Sequence, residues 1–174
     1  MSLDHPADRI PATDDPFDAL MAEVMAHADR FGHRQHIHLT WLAVRRYGTH
    51  TATAMISNGI RRTARYAGAP QKYNATVSRA WVELVGHHVA SSDDDDFDAF
   101  ADRHPALLDR RLLTHHYRPS TLATAEARSG WVKPDLEPLP GTDEAGSAQG
   151  LVDTSPVRLR SRPEGRRRAQ APPP

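Results

Sequence analysis

The 174-residue sequence holds no cysteine. That absence removes disulfides, thiolate zinc sites, iron–sulfur clusters and cysteine nucleophiles together. A metal, if bound, would have to be held by histidine, carboxylate, amide, tyrosine or water. Long apolar runs are missing too. No stretch approaches the ~18 residues of a membrane span, and the acidic N-terminus lacks the apolar segment of a secretory signal. Cytoplasmic residence, with no membrane contact, is the expectation. The motifs that announce common chemistries are also missing: there is no P-loop, no Gly-x-Gly-x-x-Gly, no His-Glu-x-x-His and no nucleophile elbow. Lysine is nearly absent, Lys72 and Lys133 being the only two among 22 basic residues. This usage, with abundant Ala and Asp, is that of a GC-rich bacterial genome.

Apolar residues make up 39% of the chain, and both ends dilute them. Residues 1–14 carry Asp4, Asp8, Asp14 and two prolines with almost no apolar periodicity, and read as a disordered acidic tail. Residues 135–174 are rich in Pro, Gly, Ser, Asp and Arg, and read as a second disordered tail. The foldable part is then residues 15–134, long enough to bury a core without a staple. Net charge is zero but unevenly spread: residues 1–30 hold seven acidic and two basic side chains, whereas residues 156–174 hold six arginines against Glu164 alone. The basic segment has no aromatic side chain for base stacking, so nucleic acid is not an expected partner. Nothing in the composition fixes an oligomeric state.

Within residues 15–134 the periodicity is helical throughout. Asp15 before Pro16 starts a helix, and Phe17, Leu20, Met21 and Val24 carry its apolar face to about Arg30. A second helix runs from His33 to near Gly48, a third from Thr51 to Tyr66, and a fourth from Asn74 to Val89 with Val77, Trp81, Leu84, Val85 and His88 on one stripe. The run Asp93 to Asp96 lacks the alternating ligands and central Gly of a calcium loop. It fits the first turn of a short helix bearing Phe97 and Phe100. Pro105 opens another helix through His115, Pro119 a last one through Arg128, and Trp131 and Val132 are the final apolar anchors. The expected fold class is all-α, a compact bundle of five to seven helices.

Chemistry concentrates in the histidines, of which there are eleven. His33 and His36 are three apart and share a helix face; His38 lies about 160° around from His36 at ~100° per residue. Two imidazoles on one face can begin a metal site or form an acid/base pair. The alternative is that His33 caps the helix and His36 is a satisfied core histidine. A metal site needs further ligands. Asn74, Glu83, His87 and His88 on the fourth helix are available, as are His115, His116 and Tyr117. The Glu-x-x-His pairs of a di-iron bundle are missing.

The segment Phe31-x-His33-x-x-His36-x-x-Leu39-x-Trp41 is followed by Arg45-Arg46, Lys72-Tyr73-Asn74-Ala75-Thr76, Leu107-Leu108-Asp109, Tyr117, Pro134-Asp135 and Pro138-Leu139-Pro140. The pattern resembles a group of small all-helical bacterial proteins of uncharacterised activity, across about residues 17–140. The resemblance implies that His33, His36 and position 74 belong to one site. The group carries His at position 74, where this chain has Asn, a poorer transition-metal ligand.

Three functions follow as expectations. The first is a small helical enzyme acting on a small molecule, with His33, His36, Tyr73 and Asn74 as catalytic residues between walls formed by Trp41 and Trp81. In its metal-dependent form His33, His36 and His88 would hold Fe, Zn, Mn or Cu. The second is a non-catalytic binding or adaptor module using the helical core and the charged tails. The third, and weakest, is nucleic-acid binding through Arg61, Arg62, Arg65 and the basic segment.

Overall fold

The computed structural model describes residues 15–141; the expected acidic tail and the arginine-rich segment lie outside the described residues. Within them the fold is all-α, with no strand. Helix α1 spans Pro16–Met25, α2 His33–Tyr66, α3 Ala75–Ala90, α4 Phe97–Arg103, α5 Pro119–Leu122 and α6 Ala125–Ser129. Short 3-10 turns occupy Pro70–Lys72, Pro105–Leu108 and Arg110–His115.

Each α-helix starts where a side chain or backbone can end the preceding segment. The Asp15 carboxylate accepts from the Phe17 amide at 2.9 Å, and the Asp96 carboxylate accepts from the amides of Asp98 and Ala99. Such caps satisfy amide groups that the first helical turn leaves without partners. Helix α1 stops at Met25, short of the expected Arg30, because Val24 is its last buried residue. The expected helix from Pro105 to His115 is two 3-10 turns. The backbone of Asp109 is extended between them (φ −90°, ψ 114°), and its carboxylate caps the second turn at the Arg111 amide, 2.9 Å away. The last expected helix is likewise split, with Thr124 capping α6 at the Ala127 amide.

Helix α2 is two arms, residues 33–47 and 49–66, joined at Gly48. This glycine has φ 76° and ψ 158°, a backbone region nearly closed to other residues. A straight helix would hold His36 and Ile60 roughly 36 Å apart at ~1.5 Å per residue. Both side chains instead line one small cleft. The chain therefore doubles back at Gly48, and the two arms are the two helices that the separate apolar stripes of residues 33–48 and 51–66 predict.

The core lies between these arms, α1, α3 and α4. Leu20, Ile37, Leu39, Ile56, Val82, Val85, Phe100 and Tyr117 are fully buried in it. Helices approach closely where glycine allows it: a Cβ on Gly86 of α3 would stand 2.6 Å from the Thr49 hydroxyl. The packed chain also runs past the expected boundary at residue 135. Leu139 is 1% exposed, the Leu136 and Glu137 amides donate to the His116 and His115 carbonyls, and the Tyr117 hydroxyl donates to the Val132 carbonyl at 3.0 Å. Burial pushes the Tyr117 phenol well above its ordinary range. No helix among the described residues is long and apolar enough to cross a membrane.

Candidate functional site

A cleft of about 520 Å³ opens where α2 and α3 both begin. Phe31 and Gly32 lead into it, His33 and His36 come from the first arm of α2, and Ile60 comes from the second. Lys72, Tyr73 and Asn74 enter from the connection before α3, Val77 and Ser78 from α3 itself, and Arg110 from the second 3-10 turn after α4. The structure thus brings together His33, His36, Tyr73 and Asn74, the four residues expected to share a site.

Their states differ. The His33 Nε2 lies 3.0 Å from the Leu107 carbonyl oxygen. A carbonyl only accepts, so Nε2 carries the proton and a neutral ring keeps its lone pair on Nδ1. The same ring sits edge-on to Trp81, with centroids 4.7 Å apart. Burial lowers the His33 pKa; the Leu107 bond opposes that shift, Arg110 adds to it and Asp109 opposes it. His33 is therefore a neutral strut between α2 and the segment after α4 as well as a cleft residue.

His36 has no such anchor. Its Nε2 is buried and without a hydrogen-bond partner among the described residues. Burial, with a smaller contribution from His33, pushes its pKa down to about 4, so the ring is neutral at pH 7. A buried polar nitrogen left without a partner costs about 1–3 kcal/mol. Such groups are rare in folded proteins and mark places where a ligand, water or ion supplies the missing bond.

Asn74 stands at the cleft edge, but both ends of its amide are engaged. Oδ1 accepts from the Val77 amide at 3.0 Å, and Nδ2 donates to the Leu122 carbonyl at 2.8 Å. It caps α3 and ties it to α5, a structural task that engages both ends of the amide. Tyr73 places its ring beneath the Arg61 guanidinium, 5.8 Å from centroid to carbon.

The expected metal set His33, His36 and His88 does not converge. His88 sits in the last turn of α3, about 21 Å along the helix from Asn74 at ~1.5 Å per residue. Its ring packs 4.4 Å from that of His104 and 5.3 Å from that of His87. Helical periodicity had placed it on the right face but at the wrong height. Among the described residues no three His, Asp or Glu side chains are grouped to hold a metal ion. The cleft's donors fit a transition metal poorly: one imidazole has its Nε2 engaged, and Lys72 and Arg110 contribute positive charge.

Trp41, expected as a wall, belongs to a second groove of about 880 Å³ on the far side of the first arm. His38 is there too, as its angular position predicts, with its ring stacked on Phe97 at 4.1 Å and 5° between planes. Burial is the main cause of the lowered His38 pKa. The arginines of that groove are all paired: Arg34 with Asp98, Arg45 with Asp95, and Arg46 with both Glu23 oxygens.

Both charged residues of the cleft, Lys72 and Arg110, lie outside the expected site residues. Lys72 is marked in the sequence by the scarcity of lysine and by its place beside Tyr73-Asn74, and nothing in the local sequence marks Arg110. Comparison with family models, curated proteins and solved structures found no match to this chain.

Proposed function

We propose that this chain is a small cytoplasmic enzyme that takes a metabolite into the cleft at the heads of α2 and α3 and moves a proton on it. The observation that carries this reading is the convergence of two imidazoles, His33 and His36, on the lining of one cleft. A neutral imidazole can polarise a substrate oxygen as a donor or take a proton as a base. His33 supports it: with Nε2–H held on the Leu107 carbonyl, Nδ1 is the basic nitrogen. This is the orienting bond that acid/base histidines use. Tyr73, Ile60, Val77 and Phe31 would enclose the organic part of the substrate, and a cleft of this size suits a metabolite. The donor set favours proton chemistry over a metal-dependent mechanism.

The test is a thermal-shift screen of the full chain against a metabolite collection, run beside His36→Leu. A ligand at a hundred times its Kd stabilises by about 2.7 kcal/mol. The expected result is at least one compound that raises the Tm of the natural chain and not that of the variant. A compound that stabilises both equally would show that His36 does not hold it and would overturn the reading.

The adaptor alternative draws on the larger groove, whose Trp41 and Phe97 floor is rimmed by the ion pairs of Arg34, Arg45 and Arg46. It predicts that Arg45→Ala, rather than His36→Leu, abolishes recognition of a partner.

A further inference from the structure

We infer that the group taken up by the His36 cleft is an oxyanion, a carboxylate or a phosphate, borne on a small organic molecule. The inference rests on the cleft being a ligand site, and its lining charges and its two helix starts point to the sign of the charge.

No carboxylate lines the cleft, in a chain with 22 acidic residues. Two cations line it, Lys72 and Arg110, and neither has an ion pair among the described residues. The contrast with the neighbouring groove is direct, because each arginine there is neutralised by its own acid. Asp109, beside Arg110 in the chain, caps the Arg111 amide.

Both long helices of the site also begin at it. The N-cap of α2 is Gly32, which has no side chain to accept from the first turn. Its own amide is met by the Gln35 side chain at 3.1 Å, and the amides of the turn behind it lack a side-chain acceptor. At α3, Asn74 takes only the Val77 amide. Unmet amides and the positive end of the helix dipole together favour an anion. Two such ends beside two cations that have no ion pair among the described residues favour a negative charge, with the Asp109 carboxylate, which acts on His33, as the opposing group.

The imidazole completes the set. His36 lines the cleft, so a negative charge bound there would favour its protonated form and raise its pKa. Phe31, Ile60, Tyr73 and Val77 give the wall an apolar and aromatic side, and Ser78 adds a hydroxyl. The whole fits an organic acid or phosphate ester whose carbon portion is apolar.

The test follows the histidine ring signals of the full chain by NMR while inorganic phosphate, benzoate and neutral benzamide are titrated at constant ionic strength. The same titrations are run on Arg110→Gln and Lys72→Gln. Both positions are exposed, so the fold is kept. The expected result is a saturable shift of the His36 signal with phosphate or benzoate and a pKa for His36 that rises on binding. Benzamide should bind at least about tenfold more weakly, and each variant should lose about fivefold in affinity. The anion that binds more tightly identifies the group. Benzamide binding as tightly as benzoate, or anion binding unchanged in both variants, would overturn the anion and leave the cleft as a ligand site. A His36 signal that no probe moves, beside an intact fold, would remove both.

Discussion

Gly59, on the second arm of α2, faces the ring of Phe17 on α1 so closely that a Cβ there would lie 2.1 Å from a ring carbon. Phe17 is buried, and the Arg62 guanidinium lies 5.6 Å from the centre of its ring. Arg62 in turn binds Asp15 and Asp18, so α1 is fastened to the second arm by a ring seated on a glycine and by two ion pairs at its start. Gly59→Ala is informative because its sign is not that of an ordinary helix substitution. Alanine in a free helix position stabilises by up to ~1 kcal/mol over glycine. Here overpacking should destabilise by about 1–3 kcal/mol. Urea unfolding of the variant checks this, and a gain in stability would show that α1 does not pack as described.

Stability should fall as pH drops from about 6.5 to about 4. Burial holds the His36 pKa down at about 4 against an ordinary value of 6.5. Between those values the unfolded chain binds a proton that the folded chain refuses, so acid favours unfolding. The contribution is complete above 6.5 and amounts to a loss on the order of 3 kcal/mol by pH 4. His33, His38 and His88 are lowered in the same direction, burial being the main cause in each. Unfolding free energies measured at pH 7.5 and pH 5 should show the slope, and His36→Leu should flatten it. An equal slope in the variant would mean that His36 titrates normally.

Asn74→Ala should cost stability rather than chemistry. It removes a helix cap, worth about 1 kcal/mol, and the bond to the Leu122 carbonyl, worth about another 1 kcal/mol. A melting temperature lowered by several degrees, with ligand affinity held once the protein is kept folded, is the expected pair of results. Unchanged melting would return Asn74 to the list of residues that act on the ligand.

The contribution of residues 135–141 can be found by truncation. Compared with a chain ending at Gly141, one ending at Pro134 loses the buried Leu139 and the bonds of Asp135 to Arg118 and Thr121. Full burial of one leucine is worth about 1.5–3 kcal/mol, so the shorter chain should be less stable by at least that amount. Equal melting of the two would show that residues 135–141 contribute nothing.

What sequence reveals about this molecule divides along a physical line. Features decided within one helix were legible: the break at Gly48, the shared face of His33 and His36, and the departure of His38 to the opposite side. Features decided between segments were not. Leu139 sits between two prolines in a stretch whose composition says tail, and its burial comes from contacts with distant parts of the chain. Pro105 to His115 has the apolar spacing of a helix, yet Asp109 turns the backbone extended in its middle. The periodicity of α3 sets the azimuth of His88 and not its distance from the cleft. That Lys72 and Arg110 have no ion pair among the described residues belongs to the three-dimensional neighbourhood, and no window of sequence contains it.

Position 48 touches nothing: a Cβ placed there would meet no atom within 4 Å. Even so, it governs the cleft from a dozen residues away on either side, since His36 stands on one jaw of the caliper and Ile60 on the other. Any residue that cannot hold a φ of 76° must reset the opening between the jaws. The gauge of the pocket, and with it the bulk of what can enter, is therefore written into one exposed glycine remote from every group that would contact the guest.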